Sequence, residues 1–488
     1  MEALKSNGCQ FVSASSELSS QIKILPRAET AVANAYLDPI IHRYLSGIQK
    51  GLSGARLSVM TSAGSLVKSN LFFPKDSLLS GPAGGVVGAA RQARLSGIEK
   101  IIAFDMGGTS TDVSLYNGHF DYRFESRVGD FKILSPSLAI ETIAAGGGSI
   151  CDFDGHRFTV GPHSAGANPG PACYGAGGPL TITDVNVLLG RLDPENFAIP
   201  IDPSNSKRAL NQLLEKVKSL TGRTNHPDVV LESLIQISNE KMAEAIKKIS
   251  VQEGHDPREF TLLSFGGAGG QHACALATIL GMKEVLVPYD AGLLSAYGIG
   301  HAAIERFEEK LVLLPWKKIL PDFHKLIQEL FKNAKANLMS EGFSEADIEL
   351  KNSLVYLRFA GQESSIEIDC RSTENILEVF HKKYVSIFGH WIDREVEVES
   401  IKVIASVRSE PEKSDTKRLK RYRPAPEKTL RTVSGGKVKT ANVFRWEKLL
   451  PGAVLAGPAL VVSGNSTTFI EDHWEWAAVD FNFFCRMR

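Results

Sequence analysis

The sequence has no surplus of charge of either sign: Lys+Arg and Asp+Glu each total 55 in 488 residues, so the formal net charge is zero. Without a global field the chain has nothing to recruit a polyanion or an anionic bilayer. That argues against nucleic acid and membrane partners and in favour of a small or neutral one. Cysteine is scarce, and the six present (Cys9, Cys151, Cys173, Cys274, Cys370, Cys485) form neither a Cys-x-x-Cys pair nor a secreted framework. A disulfide scaffold is therefore excluded, and a reducing compartment is expected. No run of 18 apolar residues occurs, and the N-terminus shows no cationic segment followed by an apolar one. The expectation is a soluble, cytoplasmic protein. Zinc-type spacing is missing too: His156 and His163 lie near Asp152, Asp154 and Cys173 in no known ligand pattern, and read as ordinary loop residues.

What is present is length, with 43% hydrophobic residues, enough for two or three domains each with its own core. The most informative stretch runs from Ile101 to Tyr116. An apolar run ends in Asp105, then Gly107-Gly108, Thr109, Ser110 and Thr111, and a second β-type run leads to the hairpin signal Asn117-Gly118. A glycine pair alone reads as a β-turn with Asp as turn former. The whole octet from Asp105 to Asp112 favours an anion site: Gly107 and Gly108 let backbone N–H groups approach, Thr109 and Ser110 add hydroxyl donors, and Asp105 at a strand end can hold hydrated Mg2+. A second strand, Phe260 to Phe265, runs into Gly266, Gly267, Gly269 and Gly270, with a helix opening near Gln271. Strand, glycine turn and helix N-terminus make a general anion site. His272 on that helix reads first as a satisfied, half-buried histidine.

Around these stretches the pattern predicts a polar segment over residues 1–26 with a strand-like Ile22 to Leu25. An amphipathic helix over Glu29 to Ile48 follows, with Val32, Tyr36, Ile40 and Tyr44 on its apolar face, and then a strand near Arg56 to Thr61. The small residues from Ser80 to Arg91 open a helix whose role stays open between tight packing and a further phosphate donor set. Phe120 to Glu125 is expected as the third strand of an antiparallel set. Pro and Gly between Gly161 and Gly178 forbid helix and strand interiors, leaving a fixed loop or a disordered one. Asp184 is placed to cap the helix after it. Helices follow over Ser206 to Leu220 and Asp228 to Gln252, the latter with Lys241, Lys247 and Lys248 on a solvated face. Character changes at Pro315 to mixed helix and strand, residues 411–440 read as a basic solvated loop, and Val443 to Phe484 is strand-rich. The expected domains are 27–314, 315–410 and 411–488, after an N-terminal segment 1–26.

The octet Asp105 to Asp112 resembles the second phosphate-binding motif of the actin-like ATPase superfamily. Together with Gly166-Ala-Asn-Pro-Gly-Pro-Ala-Cys-Tyr-Gly175, Thr181 to Arg191, Arg358-Phe-Ala-Gly-Gln362 and Phe388-Gly-His390, it is similar to the hydantoinase A / 5-oxoprolinase family, which includes the acetone carboxylase β subunit. The resemblance implies an α/β fold: an actin-like (ribonuclease H-like) ATPase core followed by an α+β and β-rich C-terminal region. It implies ATP and Mg2+ as cofactors, with Gly266, Gly267, Gly269 and Gly270 facing the nucleoside. Gly107, Gly108, Thr109 and Ser110 face the phosphates, Asp105 and Asp112 are the catalytic carboxylates, and Asp105 is the metal ligand. The implied reaction is phosphorylation of a cyclic amide carbonyl, which a hydantoinase B-type subunit then helps to hydrolyse; an acetone carboxylase-type role is the alternative. Family members carry an earlier Asp-x-Gly-Gly-Thr-type motif that residues 1–26 lack. The expectation is therefore either a partner chain with that N-terminal lobe or a nucleotide-binding scaffold without turnover.

Overall fold

Ile101–Phe104, Val113–Tyr116 and Leu262–Phe265 are buried at every position, the pattern of strands covered on both faces. The computed structural model describes residues 2–19, 24–52, 54–197, 199–362, 364–370, 375–408, 420–479 and 482–487. The chain forms two units interleaved in sequence, one of residues 1–80, 122–137 and 302–411, the other of 81–121, 138–301 and 412–488.

The second unit is built on an eight-stranded sheet. In chain order its strands are β1 (Lys100–Met106), β2 (Thr111–Asn117), β3 (Ile140–Ile143), β4 (Thr261–Phe265), β5 (Glu284–Pro288), β6 (Val454–Ala456), β7 (Trp474–Val479) and β8 (Asn482–Met487). They lie side by side as β6-β7-β8-β5-β4-β1-β2-β3. β1, β2 and β3 are an antiparallel meander, while β4 and β5 add in parallel beyond β1. The order 3-2-1-4-5 with an antiparallel second strand is the ribonuclease H-like core that the resemblance implied. β8 joins β5 antiparallel, so the C-terminal strands extend this sheet. The third strand is Ile140–Ile143 and not Phe120–Glu125: after β2 the chain leaves for the other unit over 122–137 before returning to pair.

Helices Ser80–Leu95, Pro227–Ile249 and Ala273–Leu280 put Ala89, Ala90, Met242, Ala243 and Leu276 into one core with Ile102, Phe104, Leu262 and Trp476. The question left open over Ser80–Leu95 is answered by packing. A Cβ at Gly84 would stand 2.7 Å from the Ser295 carbonyl oxygen, one at Gly88 2.5 Å from that of Leu294, and one at Gly85 2.7 Å from the Phe265 ring. On the helix Leu294–Gly300, a Cβ at Gly298 would meet the Gly84 oxygen at 1.9 Å. The small residues thus allow two helix backbones to touch.

In the first unit a sheet ordered Glu305–Pro315, Val396–Val407, Ile348–Phe359, Ile366–Asp369 packs helices Phe323–Ser340 and Ile376–Phe388 over Trp316, Leu330, Phe359, Phe380 and Val403. Arg358 and Gln362 serve this fold: Arg358 Nη2 pairs with Glu397 at 2.6 Å, and Gln362 Nε2 donates to the Tyr384 hydroxyl at 2.9 Å. The N-terminal helix begins at Ile24 and runs to Gly51, so Ile24 and Leu25 are helical, while residues 22 and 23 of the expected strand lie outside the described residues. Its buried positions are the polar Thr30 and Asn34; Val32, Tyr36, Ile40 and Tyr44 are exposed. The polar pair is held by bonds the apolar pattern does not report: Asn34 accepts from the Lys75 N–H at 3.0 Å, and the Thr30 hydroxyl accepts from the Leu134 N–H at 2.9 Å. Among the described residues no helix is long and apolar enough to cross a membrane.

The helix crossing gives a direct test. Gly298→Ala sets a methyl carbon against the backbone of Gly84 and Gly88, which cannot rotate away, and should cost roughly 1–3 kcal/mol of stability in a denaturant titration. Gly300→Ala, two residues on with nothing within 4 Å, should leave the midpoint within a few tenths of a kcal/mol of the parent.

Candidate functional site

β1 ends at Met106 and β2 starts at Thr111, so residues 107–110 form the hairpin turn, closed by the Gly107 N–H to Ser110 oxygen bond at 3.1 Å. A second glycine run lies against it. Gly147 N–H donates to the Gly107 oxygen at 3.0 Å and Gly148 N–H to the Gly108 oxygen at 2.6 Å. A Cβ at Gly146 would stand 2.7 Å from the Thr109 nitrogen. The turn's carbonyls are therefore bound from behind. Gly108 and Thr109 are exposed, and their N–H groups donate to no described residue, which leaves two donors free for an anion.

Parallel pairing of β1 with β4 sets Asp105 opposite Phe265, and so brings the second glycine turn alongside the first. Gly266 has φ of 80°, and a Cβ on it would lie 2.3 Å from Asp105 Oδ1 and 2.5 Å from the Met106 oxygen. The Ala268 N–H donates to that same Met106 oxygen at 3.0 Å. A cavity of about 260 Å³ opens between the turns, lined by Gly107, Gly108 and Gly147 on one side and Gly267, Ala268 and Gln271 on another. Gly266, Gly269 and Gly270 support it from behind. Gly269 packs on Ser264 Oγ and Gly270 on Thr467–Thr468, with would-be Cβ contacts of 2.9 and 2.6 Å. Thr109 and Ser110 stand at the turn's tip and do not line the cavity.

Three parts of the wall were not foreseen from the sequence. The first is Thr183, whose hydroxyl donates to the Gly147 oxygen at 2.9 Å. The second is the aromatic pair Tyr174 and Phe197, with ring centroids 6.3 Å apart. The third is the loop 463–467, brought in from the C-terminal strands. The Gly146–Gly148 run was legible as a turn without a role; Ser463-Gly-Asn-Ser-Thr467 carried no signal beyond its turn residues.

Asp105 faces Asp112 across the hairpin. Burial and, secondly, the Asp112 charge push the Asp105 carboxyl up to about 6. Asp112 is also raised by burial, against the opposing effect of the Thr142 hydroxyl that donates to it at 2.5 Å. No described residue donates a hydrogen bond to Asp105. A desolvated carboxylate with a like-charged neighbour and no donor fits a cation: the group supplies the missing countercharge.

The remaining polar groups are structural. His272 is fully buried, with Nδ1 2.7 Å from Asn239 Oδ1 and Nε2 3.3 Å from Asn186 Nδ2, and burial pushes it down to about 3, so it is neutral. Asp184 caps its helix and does more. Its carboxylate accepts from the N–H groups of Ala172, Cys173 and Thr181 and from the hydroxyls of Thr181 and Ser206, at 2.7–3.0 Å. Those bonds fix the Pro/Gly-rich loop that carries Tyr174. His156 and His163 are exposed, His163 within the strand Phe158–Ser164 and not in the loop expected there.

Two outcomes follow. Asp184→Ala orphans five donors, each costing about 1–3 kcal/mol when left unpaired, and should lower stability by roughly 3 kcal/mol or more in thermal or denaturant unfolding. Asp105→Asn should do the opposite in metal-free buffer. Because the folded-state pKa is raised from 3.8 to about 6, the native state holds the proton more tightly, and stability is lost as pH rises through that window. The variant should match the parent near pH 4 and exceed it by about 1–3 kcal/mol above pH 7; a difference independent of pH would show that Asp105 titrates normally.

Comparison with known proteins agrees with this fold. The family model described as Hydantoinase/oxoprolinase matches residues 27–308, and that of the Hydantoinase/oxoprolinase C-terminal domain matches 317–485. The 5-oxoprolinase of Saccharomyces cerevisiae is 38% identical over 95% of this chain, which spans only 38% of that protein's length. Caprolactamase subunit alpha of Pseudomonas jessenii is 30% identical over 95% of this chain and 70% of its own length. The crystal structure of the ATP-dependent caprolactamase from that organism superposes on the whole chain with a TM-score of 0.87 at 26% identity, covering 74% of its own chain. A nucleotide-free acetone carboxylase structure shares the fold, with a TM-score of 0.75 at 21% identity over the whole of this chain and 73% of its own. By the residues matched and the relatives found, the chain belongs to the hydantoinase/oxoprolinase family.

Proposed function

We propose that this chain is the nucleotide-binding part of an ATP-dependent hydrolase of cyclic amides. The observation that carries the reading is the single cavity walled by both glycine turns at the ends of neighbouring parallel strands, with Asp105 between them. The relatives' names point to a substrate class: 5-oxoproline and caprolactam are both lactams. A lactam carbonyl is a poor electrophile. Transfer of the terminal phosphoryl group of ATP to the carbonyl oxygen forms a C–O–P linkage and releases ADP. Water then adds at that carbon and the ring C–N bond breaks, the amine taking up a proton and an acyl phosphate remaining; a second water cleaves this to the carboxylate and inorganic phosphate.

The protein's share of such a step is positioning and charge stabilisation. The free N–H groups of Gly108 and Thr109 and the hydroxyls of Thr109 and Ser110 hold phosphate oxygens, and the turn at Gly267 seats the nucleoside. Asp105, paired across the hairpin with Asp112, would hold Mg2+, and the ion would supply charge neutralisation of the phosphates. A B-type subunit and a chain or segment carrying a further phosphate motif complete the site, and the free cysteines fit a cytoplasmic setting.

The 488 residues alone should bind ATP weakly and release no phosphate in response to 5-oxoproline or a hydantoin. Positioning by a complete site is worth roughly 7–11 kcal/mol of barrier, and the turns described make only part of one. Adding the polypeptide that corresponds to the rest of a relative's length should switch on lactam-stimulated phosphate release. Brisk release by these residues alone would show that they make a complete site. An assembly that binds no ATP would sink the reading.

A further inference from the structure

The cavity is chemically divided. At one end are the glycines of the hairpin turn and Gly147, which offer only backbone. At the other, Tyr174 and Phe197 stand side by side at an interplanar angle of 45°, both half-buried, with Leu192 beside them. Gln271 lines the same cavity. It is 5% exposed, and its side-chain amide bonds to no described residue. An amide that lines a cavity with neither donor nor acceptor engaged is free to pair with a ligand there. Asn196, another amide of the lining, is already used: it donates to Asp193 at 2.5 Å and accepts from Arg445 at 2.7 Å. About 260 Å³ is less than a whole nucleoside triphosphate needs, since pockets for drug-sized ligands start near 300 Å³. Only part of such a ligand is enclosed, and the exposed Gly108 and Thr109 mark where the rest leaves.

We propose that the Tyr174–Phe197 wall and Gln271 form the base-recognition end of the site, selecting a 6-aminopurine nucleotide. This rests on the nucleotide reading above and adds which residues choose the nucleotide. The rings stack on the base face, a contact available to any base and strongest for purines. The amide of Gln271 gives the choice among purines at the 6-edge: one end donates to the neighbouring ring nitrogen and the other accepts from the 6-amino group, a pairing that adenine completes and guanine, with a 6-carbonyl, does not. The wall is held from outside the cavity. Asp184 fixes the segment through Cys173 to Tyr174, while Lys428 pairs with Asp193 and Arg445 with Asn196 on the segment that ends at Phe197.

The test uses the 488-residue chain with Mg2+ in calorimetric titrations of ATP, GTP and inorganic tripolyphosphate. The parent should bind ATP at least tenfold more tightly than tripolyphosphate, and more tightly than GTP. Tyr174→Leu and Phe197→Leu should each weaken ATP roughly fivefold or more while tripolyphosphate affinity stays at the parent value, which also reports that the phosphate end has folded. Tyr174→Phe, keeping the ring, should restore ATP binding. Gln271→Leu should bring the ATP and GTP affinities together. Equal ATP and tripolyphosphate affinity in the parent, or Leu variants that weaken both ligands alike, would overturn this inference and leave the nucleotide reading standing. A parent that binds none of the three would overturn this inference, and an assembly that binds none of them would overturn the nucleotide reading as well.

Discussion

Everything at the site depends on one close approach, between the end of β1 and the turn after β4. In-register parallel pairing brings Asp105 and Phe265 level, and the next residue must then turn where the Asp105 carboxylate already occupies the space a Cβ would need, 2.3 Å away. Only glycine fits there on two independent grounds, volume and a φ of 80°. The same approach lets the Ala268 N–H bond to the Met106 oxygen, which locks the turns to each other. It also shields Asp105 from water, and that shielding is the first cause of its raised pKa. Geometry and electrostatics at this point are one fact: the backbone contact that joins the turns is what makes the carboxylate unfavourable without a cation.

Around that contact the protein uses buried carboxylates as anchors. The Asp184 carboxylate gathers five donors, so the loop after the strand Phe158–Ser164 is held and Tyr174 is delivered to the cavity; that strand takes in Gly161–Ser164, where the Pro and Gly content predicts only loop. Asp193 does related work on the facing segment, pairing with Lys428 at 2.8 Å and accepting from Asn196. Hydrogen bonds to a charged acceptor are about twice as strong as neutral ones, and these are sheltered from solvent, so two short loops can be kept in place without a core of their own.

The strands and both glycine turns were legible in the sequence as local patterns, Ile101–Phe104 and Phe260–Phe265 as β-type runs and the turns by composition, while the ribonuclease H-like topology came from the family resemblance. Gly107, Gly108 and Gly267 line the cavity as their order along the chain suggested. What was illegible is what the tertiary structure alone decides. The loop 463–467 lies about 200 residues beyond the Gly267 turn and carries only turn residues, so its place on the wall depends on Thr467–Thr468 packing against Gly270. Tyr174 and Phe197 are 23 positions apart and meet through Asp184 and Asp193. The third strand was misplaced because a strand-forming run at Phe120 precedes an excursion into another unit, and no local pattern marks such a departure.

The helix Ile24–Gly51 carries the opposite lesson, that periodicity can be right about helix and wrong about its buried side. Its apolar residues recur at intervals of four, as a core-facing stripe should. The face that is buried within its unit is the one with Thr30 and Asn34, since each satisfies backbone groups that would otherwise be stranded: the Lys75 and Leu134 N–H groups. An unpaired buried N–H costs about 1–3 kcal/mol, comparable with the 1.5–3 kcal/mol gained by burying a large apolar side chain. Two such donors on one face are therefore enough to compete with a stripe of Val32, Tyr36, Ile40 and Tyr44 for the inward position. Hydrophobic pattern records which residues can be buried at a gain; which of them are buried is settled by where the neighbouring backbone needs acceptors.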